Sequence, residues 1–175
     1  SPSSGVPIGT MWLRLTLVTM LCVINGLKMR PLPLSLKEVS LGFSTGPEDA
    51  TSSVNDDHYM RLALRHAQLA YRQKEVPIGA VIVDGEQGLV LSTARNSVEK
   101  LTDGTAHAEM LAIRKAVKVH ENWRLNNCTL YTTLEPCPMC MGAIQSSRIK
   151  RIVYGPKDPR LGACGSWVDL VHDNK

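Results

Sequence analysis

From His58 onward, hydrophobic and polar positions follow two alternating periods. Met60, Ala63, Leu64, Ala67, Ala70 and Tyr71 recur at three- and four-residue steps, which predicts an amphipathic helix with one face turned inward. Pro77 closes that pattern, and a β-rich run follows over 78–83. Asp84-Gly85 and Gln87-Gly88 are turn signals, so 89–94 reads as the returning strand of a hairpin. A loop over 95–105 leads to a second helix over 106–119, then a buried strand over 128–133. A helix over 137–146, a strand over 149–154 and a short helix around Asp169 complete the order. No internal repeat is present. Strands that alternate with helices predict an α/β domain with helices on both faces of one sheet.

Residues 1–57 lack this regularity and are expected to form an N-terminal extension to a domain spanning 58–175. The first ten residues are rich in Ser, Pro and Gly, and Met11 stands where a leader would start. The mostly apolar run over 11–24 is broken by Arg14 and two Thr. It is too short for a membrane span but has the form of a signal-peptide core. Over 28–47 the sole acidic residue is Glu38, set against Lys28, Arg30 and Lys37, a composition typical of transit peptides. Together these predict import into a plastid or another organelle, with a cytoplasmic protein carrying an unstructured tail as the alternative. No stable membrane association is expected of the mature domain. A polar stretch over 48–57 reads as a linker, with Asp56 or Asp57 as helix N-cap.

Composition narrows the picture further. Hydrophobic content of 43% suits a packed core, and aromatics at 5% with a single Phe make that core aliphatic. Five Cys in 175 residues, two of them three apart, do not suggest a disulfide framework. The segment from His58 carries 16 Lys and Arg against 11 Asp and Glu, a balance of +5, while residues 1–57 carry 4 against 5. The folded part therefore holds the positive charge, which favours a polyanionic partner.

The chemistry is concentrated in two places: His107-Ala108-Glu109, and Pro136-Cys137-Pro138-Met139-Cys140. One His and a Cys-x-x-Cys pair supply three ligands to zinc, which prefers four and so leaves one position for a water that the metal acidifies. Glu109 lies two residues past His107 in the same helical turn, too close to be a convenient fourth ligand and well placed to move protons. H-x-E with P-C-x-x-C is the signature of the zinc nucleobase deaminases. A structural zinc knuckle would want a fourth Cys or His at similar spacing, and Cys22, Cys128 and Cys164 form no second pair. Cys137 and Cys140 share one face of a first helical turn, where the partial positive charge of the helix start favours thiolates, and Pro136 suits the start of that helix.

The stretches 105–110 (Thr-Ala-His-Ala-Glu-Met) and 130–143 around Cys137 and Cys140 resemble the tRNA-specific adenosine deaminases of bacteria and plastids. So do 75–80 (Glu-Val-Pro-Ile-Gly-Ala), 148–155 and 162–166 (Gly-Ala-Cys-Gly-Ser). The resemblance implies a three-layer α-β-α cytidine deaminase-like fold with a mixed central sheet. It also implies hydrolytic conversion of the wobble adenosine of a tRNA anticodon to inosine, one zinc per subunit, and a homodimer. By the same resemblance His107, Cys137 and Cys140 match the zinc ligands and Glu109 the proton shuttle. Asn96 matches a residue that hydrogen-bonds the target base, the backbone around Ala108 and Pro136 shapes the pocket, and Asp158 matches a position near the RNA backbone. The alternative for Asp158 is a plain turn residue. Arg148, Lys150, Arg151, Lys157 and Arg160 are candidates for a phosphate-binding flank, with plain solvated surface as the alternative.

Two departures stand out. Gly104 occupies a position that is commonly Pro in the family, which is expected to loosen the loop before His107. The family also commonly continues past the position of Lys175 with a further strand and helix, so the domain is expected to be truncated at its C-terminus. Ligand spacing alone does not separate tRNA from a free base, so a guanine or cytosine deaminase of the same fold is the nearest rival. A non-catalytic subunit that binds zinc and RNA is a second, against which the presence of Glu109 argues.

Overall fold

Every strand at the centre of the sheet is apolar on both sides, because helices cover both sides. The computed structural model describes residues 35–41 and 52–172; the signal-like run over 11–24 lies outside them. The strands are β1 (Lys37–Ser40), β2 (Gly79–Asp84), β3 (Val90–Arg95), β4 (Cys128–Thr132) and β5 (Arg151–Tyr154). The helices are α1 (Ser52–Arg72), the single turn α2 (Val98–Leu101), α3 (Ala108–His120) and α4 (Pro138–Ser146). The sheet order is β1-β5-β4-β2-β3, with β4 and β5 parallel and the other neighbours antiparallel, so the sheet is mixed.

Side chains on a strand point alternately to opposite faces. Val81, Val83, Tyr131 and Val153 pack with Met60 and Ala63 of α1 on one face. Ala80, Ile82, Leu130, Ile152 and Tyr154 pack with Ala108, Ala112, Met141 and Ile144 of α3 and α4 on the other. This double burial explains why β2 reads as a near-continuous apolar run and why every residue of β4, its two Thr included, is buried. Each fully buried Leu or Ile contributes about 1.5–3 kcal/mol over an exposed one. Close approach matters as much as area. A Cβ on Gly79 would collide with the carbonyl oxygen of Ala63 and lie 2.6 Å from the Ala67 nitrogen, so glycine is what lets α1 lie against β2.

The helix pattern predicted from Met60 to Ala70 is present, but its outer positions differ: Leu64 is half-buried and Tyr71 is exposed. Three expectations are corrected. The chain before His58 contributes to the domain: β1 pairs antiparallel with β5, with Val39 opposite Ile152, and Leu36 and Val39 join the two cores. This four-residue edge strand exposes most of its side chains, so it leaves no alternating signal in the sequence. Neither Asp56 nor Asp57 caps a helix. α1 begins at Ser52, Asp57 pairs with Arg61 one turn on, and Asp56 pairs with Arg151. The short helix expected around Asp169 is instead a set of turns fixed by an isolated bridge between Cys164 and Asp169. Among the described residues, no helix is long and apolar enough to cross a membrane.

Arg151 locks the edge of the sheet to α1. Its two terminal nitrogens bond both oxygens of Asp56 at 2.9 and 2.6 Å, and its Nε bonds Glu38 of β1. Tyr131 donates its hydroxyl to Asp56 at 2.7 Å. Burial acts to raise Asp56, but the bonds from Arg151 and Tyr131 outweigh it and hold the carboxyl below its ordinary 3.8. A carboxyl held low stabilises the fold above its unfolded value and loses that contribution as pH falls through its folded value. Asp56→Asn should therefore destabilise the protein at pH 7 by about 2 kcal/mol. Urea unfolding at a series of pH values should show the gap between wild type and variant closing below about pH 4.

Candidate metal centre

A sheet buried on both faces leaves polar chemistry only at the strand ends. β4 ends at Thr132, and the chain turns through 133–136 into α4. That turn is tied down on both sides. Thr133 exchanges hydrogen bonds with Gly79 at 3.1 Å each way, and the Glu135 N–H reaches the Pro156 carbonyl at 3.1 Å. Cys137 is the N-cap of α4, with Pro138 at its first position, so the proline that suits the helix start is Pro138 and not Pro136. Pro136 is fully buried, and its carbonyl accepts the Ala163 N–H at 2.8 Å. His107 is likewise the N-cap of α3, in extended conformation, and its carbonyl accepts the Leu111 N–H.

Two helix starts therefore face each other. His107, Cys137 and Cys140 form the group of ligand-type side chains that comes together among the described residues, with one donor atom from each within 4.8 Å of the others. His107 Nδ1 lies 3.7 Å from Cys137 Sγ and 3.6 Å from Cys140 Sγ. A tetrahedral zinc with ordinary Zn–N and Zn–S bonds separates N from S by about 3.6 Å. The donor set thus fits that ion in spacing as well as in chemistry. The hydrogen bond from Cys140 brings the Cys137 thiol down to about 4 against the effect of burial, and His107 assists. Cys140 moves the opposite way, raised by Cys137, by burial and by the charge of Glu109. His107 is raised by its bond to Cys137 and opposed by burial. The two sulfurs are thus driven in opposite directions, with Cys137 favoured as the thiolate.

Glu109 sits in the first turn of α3 and is 3% exposed. Burial raises its carboxyl above the ordinary carboxylate range. Oε1 accepts the Thr132 hydroxyl at 3.3 Å, while Oε2 is buried without a partner. An unpartnered carboxylate oxygen buried beside three metal-type ligands is an acceptor held ready for a group that enters the site.

The remaining sequence candidates separate. Asn96 is 2% exposed and donates its amide to Glu75 Oε2 at 3.2 Å. The N–H of the next residue, Ser97, bonds the carbonyl of Ala106, which ties the end of β3 to the segment that leads into His107. Ala108 is fully buried at the head of α3. Asp158 is a buried turn residue: Oδ1 accepts the Arg160 N–H at 2.9 Å, and its own N–H goes to Glu135. Lys157 and Arg160 are exposed on the same turn. Arg148, Lys150 and Arg151 do not flank the site. Parallel pairing puts Arg151 opposite Thr129 and Tyr154 opposite Thr132, so β5 begins at the far end of the sheet. Arg148 follows the far end of α4, in a left-handed turn. Arg151 is also spent on Asp56 and Glu38. Gly104 does not slacken the loop before His107, because Asp103 accepts bonds from the Thr105 N–H and hydroxyl at 2.8 and 2.7 Å.

Three residues escaped the sequence reading. Thr132 holds Glu109. Glu75 accepts the N–H groups of Lys100 and Glu99 at the start of α2 and fixes Asn96; these donors outweigh burial and hold its carboxyl below the ordinary range. Glu135 binds the loop beyond Pro156. Their partners lie 21 to 31 residues away in the chain, beyond any local pattern.

The family model of the cytidine and deoxycytidylate deaminase zinc-binding region matches residues 53–156. The chain is 49% identical over 115 residues to the chloroplastic tRNA(adenine(34)) deaminase of Arabidopsis thaliana, covering 66% of this chain and 9% of that much longer protein. It is 43% identical over 120 residues to the tRNA-specific adenosine deaminase of Bacillus subtilis, covering 69% of this chain and 73% of that one. A solved structure from work on A-to-I editing by tRNA:A34 deaminases at the wobble position superposes with a TM-score of 0.61 at 46% identity, over 63% of this chain and 78% of the other.

Chelator-treated protein should alkylate first at Cys137 when exposed to iodoacetamide near pH 6, as read by peptide mass spectrometry. Burial raises Cys128 and Cys164 to about 11 and about 12, so both should stay unmodified. Added zinc ions should protect Cys137. Equal labelling of Cys137 and Cys128 would refute the thiolate assignment.

Proposed function

Because the chain belongs to the tRNA-specific adenosine deaminases of the zinc-dependent deaminase family, we propose that it converts adenosine to inosine at the wobble position of a tRNA anticodon. The observation that carries this reading is the unpartnered, buried Glu109 oxygen beside His107, Cys137 and Cys140. In this reading these three residues hold one zinc ion per chain. When bound, the metal supplies Lewis acidity that makes water nucleophilic near neutral pH.

The reaction exchanges the amino group at C6 of adenine for oxygen from water and releases ammonia. Glu109 accepts a proton from the attacking water and delivers it to the adjacent ring nitrogen. It then carries the second proton to the departing amine, so the carboxylate ends the cycle as it began. Burial, which raises its pKa, suits it to both halves of that exchange. Thr132 fixes one oxygen and leaves the other free for the proton. Glu75 holds Asn96 by its amide nitrogen, which fixes the side chain and leaves its carbonyl oxygen and second N–H for the base. The Ala108 side chain is packed in the core, so its contribution in this reading is the backbone at the head of α3, which with the backbone around Pro136 shapes the pocket. In this reading Lys157 and Arg160, exposed on the turn that Asp158 shapes, supply positive charge to the RNA backbone. The homodimer implied by the resemblance forms part of the same reading.

The decisive test uses the metal-loaded protein and an anticodon stem-loop with an unmodified wobble adenosine, with inosine read by sequencing. Glu109→Gln should retain about one zinc per chain and lose activity by roughly 10²–10⁴-fold. A variant with near-normal turnover would remove Glu109 from the mechanism. Efficient turnover of free guanine beside an untouched stem-loop would replace the tRNA reading itself.

An organelle location draws support from the acid-poor composition over 28–47 and from the likeness to a chloroplastic protein. Fused to a fluorescent reporter in a plastid-bearing host, residues 11–57 should direct it to the plastid. A diffuse cytosolic signal would point to a plain tail.

A further inference from the structure

Glu135 is 3% exposed, and among the described residues no cation pairs with it. Its carboxylate is fully used nonetheless. Oε2 accepts the Asp158 N–H at 2.9 Å and the Ser166 hydroxyl. Oε1 accepts the Cys164 N–H at 2.8 Å and the Ser166 N–H at 3.2 Å. These donors span the loop over 158–166 from one end to the other. The backbone beside Glu135 adds two further ties, to Pro156 and to Ala163. Gly162 belongs to the same arrangement, since a Cβ there would collide with the Glu135 carboxyl carbon. One side chain, two residues before the ligand Cys137, ties both ends of the loop to that segment, while backbone bonds such as Gly162 N–H to Asp158 and Leu170 N–H to Ala163 shape it from within.

The outward side of the loop carries a different chemistry. Lys157 and Arg160 are exposed. Leu161 and Trp167 are 51% and 59% exposed, although the chain has only three Trp. The Gly162 carbonyl accepts the backbone N–H of Trp167 at 3.0 Å, which ties the turn carrying Trp167 to this loop. Exposed cations and an exposed aromatic ring on one loop form a surface suited to single-stranded nucleic acid, phosphates on the first and a base on the second.

We propose that Glu135 is a positioning residue that clasps the 158–166 loop to the segment leading into α4, and so fixes where Lys157, Arg160 and Trp167 meet an RNA strand at the site. The inference rests on the RNA reading above. A loop ordered in advance spares substrate the entropy of ordering it. Its release therefore weakens binding more than it slows chemistry, and the loss falls on KM and not on kcat.

Glu135→Gln in the full-length, metal-loaded protein keeps the shape but turns one acceptor into an amide that faces N–H donors. We expect zinc content and far-ultraviolet circular dichroism to be retained. KM for the stem-loop should rise about tenfold with kcat within about threefold. Amide hydrogen exchange of Asp158, Cys164 and Ser166 should accelerate. Ser166→Ala removes only the hydroxyl donor and should give a smaller change of the same kind, which decides the matter if Glu135→Gln does not fold. Unchanged loop exchange and KM in the folded variants would overturn the clasp, as would loss of zinc and kcat together at constant KM. Hydrogen exchange needs no substrate. A wild-type protein inactive on the stem-loop would therefore overturn the RNA reading, while the exchange data would judge the clasp separately.

Discussion

Two helix starts meet at the end of β4, and the rest of the molecule is arranged around that meeting. His107 and Cys137 are both N-caps, so each sits where a helix leaves its first N–H groups unpaired and presents its partial positive end. Those ends are what make a cluster of sulfur and carboxylate groups tolerable in a dry site. The two sulfurs respond unequally: the bond from Cys140 lowers the Cys137 thiol, while Cys137, burial and Glu109 raise that of Cys140. A divalent cation removes that conflict by taking both sulfurs as thiolates. The supporting residues have a common logic. Thr132, Glu75 and Glu135 each bind a group that would otherwise be free to turn, and none of them faces solvent.

Much of this was legible in the sequence because the signals were local. The apolar run of β2, the helical spacing from Met60, and the paired His-x-Glu and Cys-x-x-Cys groups each lie within one element. The residues that were not legible act across the chain. Tyr131 reaches Asp56 over 75 positions, and Glu38 meets Arg151 over 113. The basic residues show the same limit. Counted along the chain, Arg148, Lys150 and Arg151 look like continuations of the site helix. The parallel pairing of β4 and β5 carries them to the opposite end of the sheet, and only Lys157 and Arg160 remain near the site. Charge composition says that a surface is positive; strand direction decides which surface.

The second environment of the domain is also informative. Trp123 is half-exposed at the far end, with the Arg124 guanidinium 4.2 Å above its ring and that of Arg148 at 5.9 Å. This gives Arg148 a physical role remote from the metal ligands, one that packs a solvent-facing ring. The core itself uses Tyr131 and Tyr154 in place of larger aromatics, in keeping with its aliphatic composition.

The short strand β1 sets a boundary on how the N-terminus can be trimmed. It is the outermost strand of the sheet, and the backbone of β5 from Arg151 to Tyr154 depends on it for one row of hydrogen bonds. A peptidase that cut at the start of the regular helix pattern, near His58, would release β1 along with Glu38 and Asp56. It would leave the Arg151 charge half-buried without a counterion and the β5 edge open to pair with another chain. Maturation compatible with a monodisperse protein must therefore cut before Leu36, a limit set by sheet pairing and independent of any recognition sequence for the protease.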